Sequence, residues 1–268
     1  MGYRIFMRCL SQVLRNWLAA LKLSWFWMIV LLGVLSAASI AILASAQTAL
    51  NRDTASSGIG MLVAVVVLVF ILAVLGGSTI AVGWRRYVLR EERIGWFVFL
   101  KREWPTGKYI WKTVRIGIIL LIPGILFSYM LSSLVGSALQ FGVDLATSVL
   151  FSSFVLLINL GISSVMTWLF FRLGVGLPAI AVGKSLSLLE SFELTRGYSG
   201  SIFVASVLAI GLNFVPTVLT LIANAMFGES ALTDIVALSG IPFAFISFFV
   251  SVGILTVLYG HLVEGRPV

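Results

Sequence analysis

Six long apolar stretches constrain the fold of this chain more than any other feature of its sequence. A helix needs about 20 residues to cross a hydrocarbon core of roughly 30 Å, and each stretch is long enough. Charged residues are only 10% of the chain and the mean hydropathy is +1.12, which excludes an ordinary soluble domain. We therefore predict an all-α, polytopic transmembrane helical bundle of about six helices in three hairpins, forming a single transmembrane domain. The predicted spans are residues 24–46, 59–83, 114–139, 147–171, 201–227 and 236–260.

The distribution of Lys and Arg predicts the orientation of these spans. Of the 18 Lys and Arg residues, only Arg52 lies in the three loops on one side of the predicted membrane. Cytoplasmic loops carry an excess of Lys and Arg, so we predict that both termini are cytoplasmic. The loops on the other side are short, which excludes a folded enzyme domain there. The net charge of +8 is thus explained by topology, and we expect no nucleic-acid partner.

Two segments on the predicted cytoplasmic side have the amino-acid composition typical of segments that lie at a membrane surface. In residues 3–20, apolar side chains recur every three or four positions beside several cations, which predicts one amphipathic helix lying along the membrane surface. Residues 84–111 mix tryptophans with Arg and Lys; they form either a second interfacial segment or a solvated basic loop. The apolar side chains of the first segment are Phe6, Leu10, Val13, Leu14 and Trp17, and the tryptophans of the second are Trp84, Trp96, Trp104 and Trp111.

The spacing of the spans favours an internal threefold repeat. The odd-numbered spans begin about 90 residues apart, and a charged, moderately apolar segment precedes each of them. Each predicted copy is an interfacial helix followed by a helical hairpin. The predicted copies are residues 1–83, 84–171 and 172–260.

The residues that usually carry chemistry are scarce. One cysteine, Cys9, and one histidine, His261, cannot build a metal cluster. Residues 176–185 resemble a phosphate-binding loop, but Pro178 stands where its first glycine belongs. No Asp, Glu or Lys lies near the middle of a span, which argues against ion-coupled transport. We expect no enzyme activity and no cofactor.

Polar side chains at the edges and inside the spans are the candidate contacts. Arg172 closes the fourth span, where it either reaches the lipid headgroups alone or pairs with Glu190 or Glu193. Amides inside spans usually hydrogen-bond to neighbouring helices, so we predict that role for the three intramembrane asparagines. The candidates for structural or lipid-headgroup contacts are Trp84, Arg85, Arg86, Arg172, Glu190, Glu193 and Arg196, and the asparagines are Asn159, Asn213 and Asn224.

Two short motifs carry a resemblance to a known group of proteins. Residues 82–89 read VGWRRYVL, and residues 171–179, FRLGVGLPA, are followed by SFELTRG at 191–197. Together they resemble uncharacterised bacterial six-helix inner-membrane proteins, similar to the YciC-like proteins and to the membrane domain of some glycerophosphoryl diester phosphodiesterases. Arg85 stands where this resemblance leads us to expect a histidine. The resemblance implies a six-helix fold in a bacterial inner membrane and does not imply an activity.

The surface-like segments and the resemblance favour one functional hypothesis. We expect a non-enzymatic integral protein of the bacterial cytoplasmic membrane that handles lipid or organises the membrane, with lipids as its partners. Two alternatives stay open. The chain is an accessory or assembly subunit of a larger inner-membrane complex, or it is a small-molecule permease, which would need a polar cavity between the fourth and fifth spans.

Overall fold

A computed structural model of the chain describes residues 1–49, 55–92, 95, 106–140, 149–228 and 230–267. Within these ranges every regular element is a helix, as predicted. Six segments are long and apolar enough to cross a membrane, which makes the chain a multi-pass membrane protein. The helices are α1 (Gly2–Arg15), α2 (Trp17–Ala49), α3 (Ala55–Arg90), α4 (Thr106–Gln140), α5 (Val149–Gly174), α6 (Gly176–Ala181), α7 (Leu188–Leu194), α8 (Ser199–Phe227), α9 (Ala231–Leu238) and α10 (Gly240–Glu264).

The spanning helices pack as three hairpins. Helix α2 packs against α3, α4 against α5, and α8 against both α9 and α10, which together make the sixth span. Contacts between α5 and α8 and between α3 and α10 join the three hairpins. Pro123 lies inside α4 and Pro216 inside α8, where each removes one helical hydrogen bond.

The helix α3 runs further than the sequence predicted. It continues to Arg90 instead of ending at residue 83, because residues 84–90 contain no Gly or Pro to stop it. Trp84 and Arg85 are therefore buried inside the bundle, and the interfacial segment predicted from Trp84 onward is wrong over its first residues. At its other end Trp111 belongs to α4. Trp96 and Trp104 lie outside the described residues.

The buried core is concentrated at one end of the bundle. It combines the inner faces of α1 and α6 with the ends of α3, α5 and α10 and the beginnings of α4 and α8. Both chain termini lie at this end, since the Arg8 side chain donates a hydrogen bond to the Pro267 carbonyl at 2.7 Å. At the opposite end most large apolar side chains of α4 and α8 are exposed, as expected for surfaces that face lipid.

Helix α1 differs from the predicted surface helix in two ways. The predicted helix 3–20 is broken at Asn16, so residues from Trp17 onward belong to the spanning helix α2. The face of α1 that carries Phe6 and Val13 packs on α8 and α10 and is not free to enter lipid. Its apolar spacing was identified correctly, but the covering surface is protein.

Candidate functional site: a cationic groove

A groove of about 400 Å³ lies where α1 crosses the ends of α3 and α10. Helix α1 forms one wall, the last turns of α3 and α10 form the floor, and the C-terminal tail closes one side. The lining residues are Arg8, Ser11, Gln12, Arg15, Asn16, Val88, Leu89, Thr256, Val257, Gly260, Arg266 and Pro267. The described residues that line the groove are cations, neutral polar groups and apolar side chains, with no carboxylate among them.

The polar wall follows from helical spacing. Positions 8, 11, 12 and 15 are separated by three, four and seven residues, so Arg8, Ser11, Gln12 and Arg15 share one face of α1. Among the described residues, no carboxylate lies within ion-pair distance of Arg8 or Arg15. The third cation, Arg266, pairs with Glu264 at 2.8 Å. Two guanidinium groups in the groove therefore have no carboxylate partner within the part of the chain that the structure describes, and Arg8 instead donates to the Pro267 carbonyl.

Asn16 fixes the wall at the junction of α1 and α2. Its amide nitrogen donates to the Gln12 carbonyl at 2.9 Å, which caps the end of α1. The Tyr87 hydroxyl of α3 donates to the Asn16 side-chain oxygen at 2.8 Å. This contact anchors α1 to α3 on one side of the groove. Asn16 falls inside the single helix predicted over residues 3–20 and Tyr87 inside the motif at 82–89, so this contact was not predicted from the sequence.

The tail is held in place by a left-handed glycine. Gly265 ends α10 with φ of 68°, and the Arg266 amide turns back to donate to the Gly260 carbonyl at 2.9 Å. The Arg266 carbonyl also contacts His261 Nδ1 at 2.9 Å. These contacts return the tail across the end of α10, which brings Arg266 and Pro267 to the groove.

The outer surface of α1 beside this wall is apolar. Tyr3, Met7 and Leu14 are exposed, with exposed fractions of 60%, 41% and 54%. Helical spacing places them on a face of α1 between the arginine-bearing wall and the face buried on α8 and α10. An exposed apolar strip beside arginines matches the boundary between acyl chains and headgroups.

The predicted contacts of α3 divide between the interior and the surface. Trp84 packs edge-on against Phe249, with ring centroids 5.0 Å apart, and is fully buried. Arg85 is also buried, with its guanidinium 4.9 Å from the centre of the Tyr109 ring. Both are structural and cannot reach lipid headgroups. Arg86 instead forms an ion pair with Glu92 at 2.8 Å.

Arg172 is buried, but its predicted carboxylate partners are not. Its Nε donates to Thr195 Oγ1 at 3.2 Å and its Nη2 donates to the Phe192 carbonyl at 3.1 Å. Its guanidinium also stacks 3.6 Å from the centre of the Phe192 ring. Neutral acceptors and an aromatic face thus replace the predicted carboxylate. The same contacts hold the group inside the protein, so Arg172 does not reach the headgroups alone either.

The two acidic candidates have other positions. Glu190 accepts from the Ser187 amide at 2.7 Å and forms a capping box at the start of α7, which lowers the pKa of its carboxyl. Glu193 and Arg196 are exposed. The prediction that Glu190 or Glu193 pairs with Arg172 is therefore wrong, because a local cap satisfies Glu190 and Glu193 points away from the bundle.

Lys112 is a buried contact that the sequence analysis treated only as a topology signal. Its ammonium donates to the Leu186 carbonyl and lies against Gly176, where a Cβ atom would collide with it. Gly176, the first residue of α6, therefore leaves space for the Lys112 ammonium beside the turn that joins α6 to α7. Pro178 lies inside α6. Residues 176–185 consequently build a packing element and not a phosphate loop.

Comparisons with known proteins add no relative. No protein-family model, no curated protein and no solved structure matches the chain. The resemblance carried by residues 82–89 and 171–197 stays a prediction.

Proposed function

We propose that this chain is a non-enzymatic protein of the bacterial cytoplasmic membrane that handles lipid by binding an anionic headgroup in the cationic groove. The observation that carries the proposal is the pair Arg8 and Arg15, two guanidinium groups in a groove of about 400 Å³ that form no ion pair with any described carboxylate. Arginine matches the geometry of phosphate oxygens, and its stem tolerates an apolar wall. Ser11 and Gln12 add neutral hydrogen-bonding groups between the two arginines.

The surroundings of the groove support a lipid over a soluble anion. Val257 of α10 and Val88 and Leu89 of α3 give the groove an apolar floor. The exposed strip of α1 continues that apolar surface toward lipid. The positive-inside pattern supports a cytoplasmic position for this end of the bundle, and anionic lipids of that leaflet would attract its cations.

Thermal unfolding in a neutral detergent tests the proposal. Phosphatidylglycerol should raise the unfolding midpoint of the wild type more than phosphatidylcholine does, because a ligand at 100 times its Kd stabilises by about 2.7 kcal/mol. The double variant Arg8→Gln, Arg15→Gln should lose most of this shift. Arg196→Gln is the matched control, since Arg196 is exposed and does not line the groove.

Two outcomes would contradict the proposal. An equal response of the double variant and the wild type would show that lipid binds elsewhere. An equal shift from inorganic phosphate alone would identify a free anion as the ligand in place of a lipid headgroup. Added salt should weaken the lipid response, because exposed charges are screened within roughly 10 Å at 0.1 M salt.

A small-molecule permease is the second candidate, favoured by one observation. A cavity of about 550 Å³ contacts Leu156 of α5, the fourth span, and is lined mainly by α8, the fifth span. The permease hypothesis requires a polar cavity between the fourth and fifth spans; this cavity lies mainly between the fifth and sixth spans, with polar side chains on its α8 wall and Leu156 as its contact with the fourth span. Transport of a radiolabelled solute is a separate measurement from headgroup binding, so either candidate can fail alone.

A further inference from the structure

Helix α8 carries a line of neutral polar side chains along the second half of its membrane-spanning segment. Asn213, Thr217, Thr220 and Asn224 are separated by four, three and four residues and therefore lie on one face. All four line the 550 Å³ cavity beside α9 and α10. The line covers about 17 Å of helix axis at 1.5 Å per residue. It lies toward the end of α8 remote from the chain termini.

These side chains lack the partners that the sequence led us to predict. Counting only partners in the described residues, Asn213 donates to the Ala209 carbonyl of its own helix at 3.3 Å and its side-chain oxygen accepts no hydrogen bond. Within the described part of the chain, the side chains of Thr217, Thr220 and Asn224 make no hydrogen bond. Asn159 bonds only Ser163, four residues along α5. The prediction that the three asparagines join neighbouring helices is therefore wrong.

The opposite walls of the cavity are small or apolar. Ala237, Gly240 and Ala244 lie across from the polar line, with Leu156 and Leu221 at its edges. A Cβ on Gly240 would lie 3.9 Å from that of Pro216, so the two helices approach closely at the base. Pro216 also leaves the carbonyl of residue 212 without its helical donor. The cavity combines hydrogen-bonding groups on one side with an apolar surface on the other.

We propose that this cavity binds an uncharged molecule bearing hydroxyl groups, held by the line Asn213, Thr217, Thr220 and Asn224. Unsatisfied amides are costly in hydrocarbon, and hydroxyl groups both donate to and accept from amides and threonines. Among the described residues no charged side chain lines the cavity, which disfavours an ionic ligand. Its volume of about 550 Å³ suits a small molecule or the headgroup of a neutral lipid. The proposal does not depend on the cationic groove.

Cysteine labelling of the full chain in phosphatidylcholine nanodiscs tests the first step. Thr217→Cys and Thr220→Cys should react with a hydrophilic maleimide at least about tenfold faster than Val218→Cys and Leu219→Cys, because a thiol in hydrocarbon does not ionise. The control positions lie at the same depth on α8, are exposed and do not line the cavity. The native Cys9 is buried and gives little background.

Protection by named probes tests the ligand class. Monooleoylglycerol, glycerol and methyl oleate are added before labelling of Thr217→Cys. Slower labelling with monooleoylglycerol alone identifies a lipid-borne hydroxyl headgroup, and slower labelling with glycerol identifies a free polyol; methyl oleate, which has no hydroxyl, should not protect. Adding Asn213→Leu and Asn224→Leu should raise the half-protecting concentration about tenfold, because hydrogen bonds to the probe are lost.

Three results would overturn the proposal. Equal labelling at the cavity and control positions would mean that the polar line faces lipid. Equal protection by methyl oleate and monooleoylglycerol, or no protection by any probe, would remove the hydroxyl-bearing ligand. Disulfide-linked dimers through Thr217→Cys would show that a second copy of the chain covers the line instead.

Discussion

At the scale of single residues, the sequence identifies the cations at the ends of the spans but does not predict which of them are buried inside the protein. Arg85 and Arg172 stand near the ends of predicted spans, where arginines often contact lipid headgroups, yet both are buried inside the protein. Hydropathy indicates that each arginine costs free energy in hydrocarbon, but it does not identify the carbonyl, hydroxyl or aromatic ring that offsets this cost. For Arg172 those groups come from α7 and the residue after it, some twenty positions later in the chain.

Arg172→Ala should lower the stability of the protein in detergent by about 2 to 3 kcal/mol, the range for buried hydrogen bonds to a charged group. The loss arises because the Phe192 carbonyl loses its donor and the Phe192 ring loses its stacking partner. Thermal unfolding measures it, with the exposed neighbour Arg196→Ala as the control. Glu190→Gln should change little, because glutamine also completes a capping box. A loss of stability from Glu190→Gln equal to that from Arg172→Ala would contradict these contacts and indicate that Arg172 pairs with Glu190.

The burial of Cys9 predicts how the stability of the protein changes at alkaline pH. Burial raises the pKa of its thiol from 9.0 to about 12, an effect that neighbouring Arg8 partly opposes. Because the folded-state pKa is raised, this group's contribution is fully present below pH 9 and is lost as the pH rises toward 12. Within that window the wild type should lose up to about 1.4 kcal/mol per pH unit more than Cys9→Ala. Parallel pH profiles of the two proteins would contradict this burial.

At the scale of elements, the sequence predicts the helices better than their partners. The apolar spacing of α1 is visible in the sequence, but an apolar face looks the same whether lipid or α8 and α10 cover it. Likewise, the cations after residue 83 suggested the membrane surface, whereas α3 continues as a helix and buries two of its residues. The groove was not predictable, because it needs α1, α3, α10 and the tail to meet.

The docking of α1 on α8 depends on Gly2. A Cβ on Gly2 would collide with the backbone carbonyl of Ser201, which cannot move without displacing α8. Gly2→Ala should therefore loosen α1 and make Cys9 react with maleimide at pH 8, where it is otherwise protected. Gly200→Ala is the matched control, since no atom lies within 4 Å of a Cβ there. Equal protection of Cys9 in both variants would show that α1 tolerates the change.

At the scale of the whole molecule, one end is closely packed and carries the charges, and the other exposes apolar side chains. Hydropathy predicts the six spans and charge predicts their orientation, but neither identifies the packed end. Reporters fused after Arg4 and after Glu264 should both report cytoplasm, because α1 contacts the C-terminal tail. A reporter after Asp144, which lies outside the described residues, should report the other side. Opposite locations for the two terminal fusions would contradict the bundle.

Native mass spectrometry of the gently extracted protein tests the central claim, that the groove holds an anionic lipid headgroup, most directly. The wild type should retain bound phosphatidylglycerol or another anionic lipid, and the double variant Arg8→Gln, Arg15→Gln should lose it while Arg196→Gln retains it. Equal lipid occupancy in all three proteins, or a tightly bound protein subunit in place of lipid, would contradict the account.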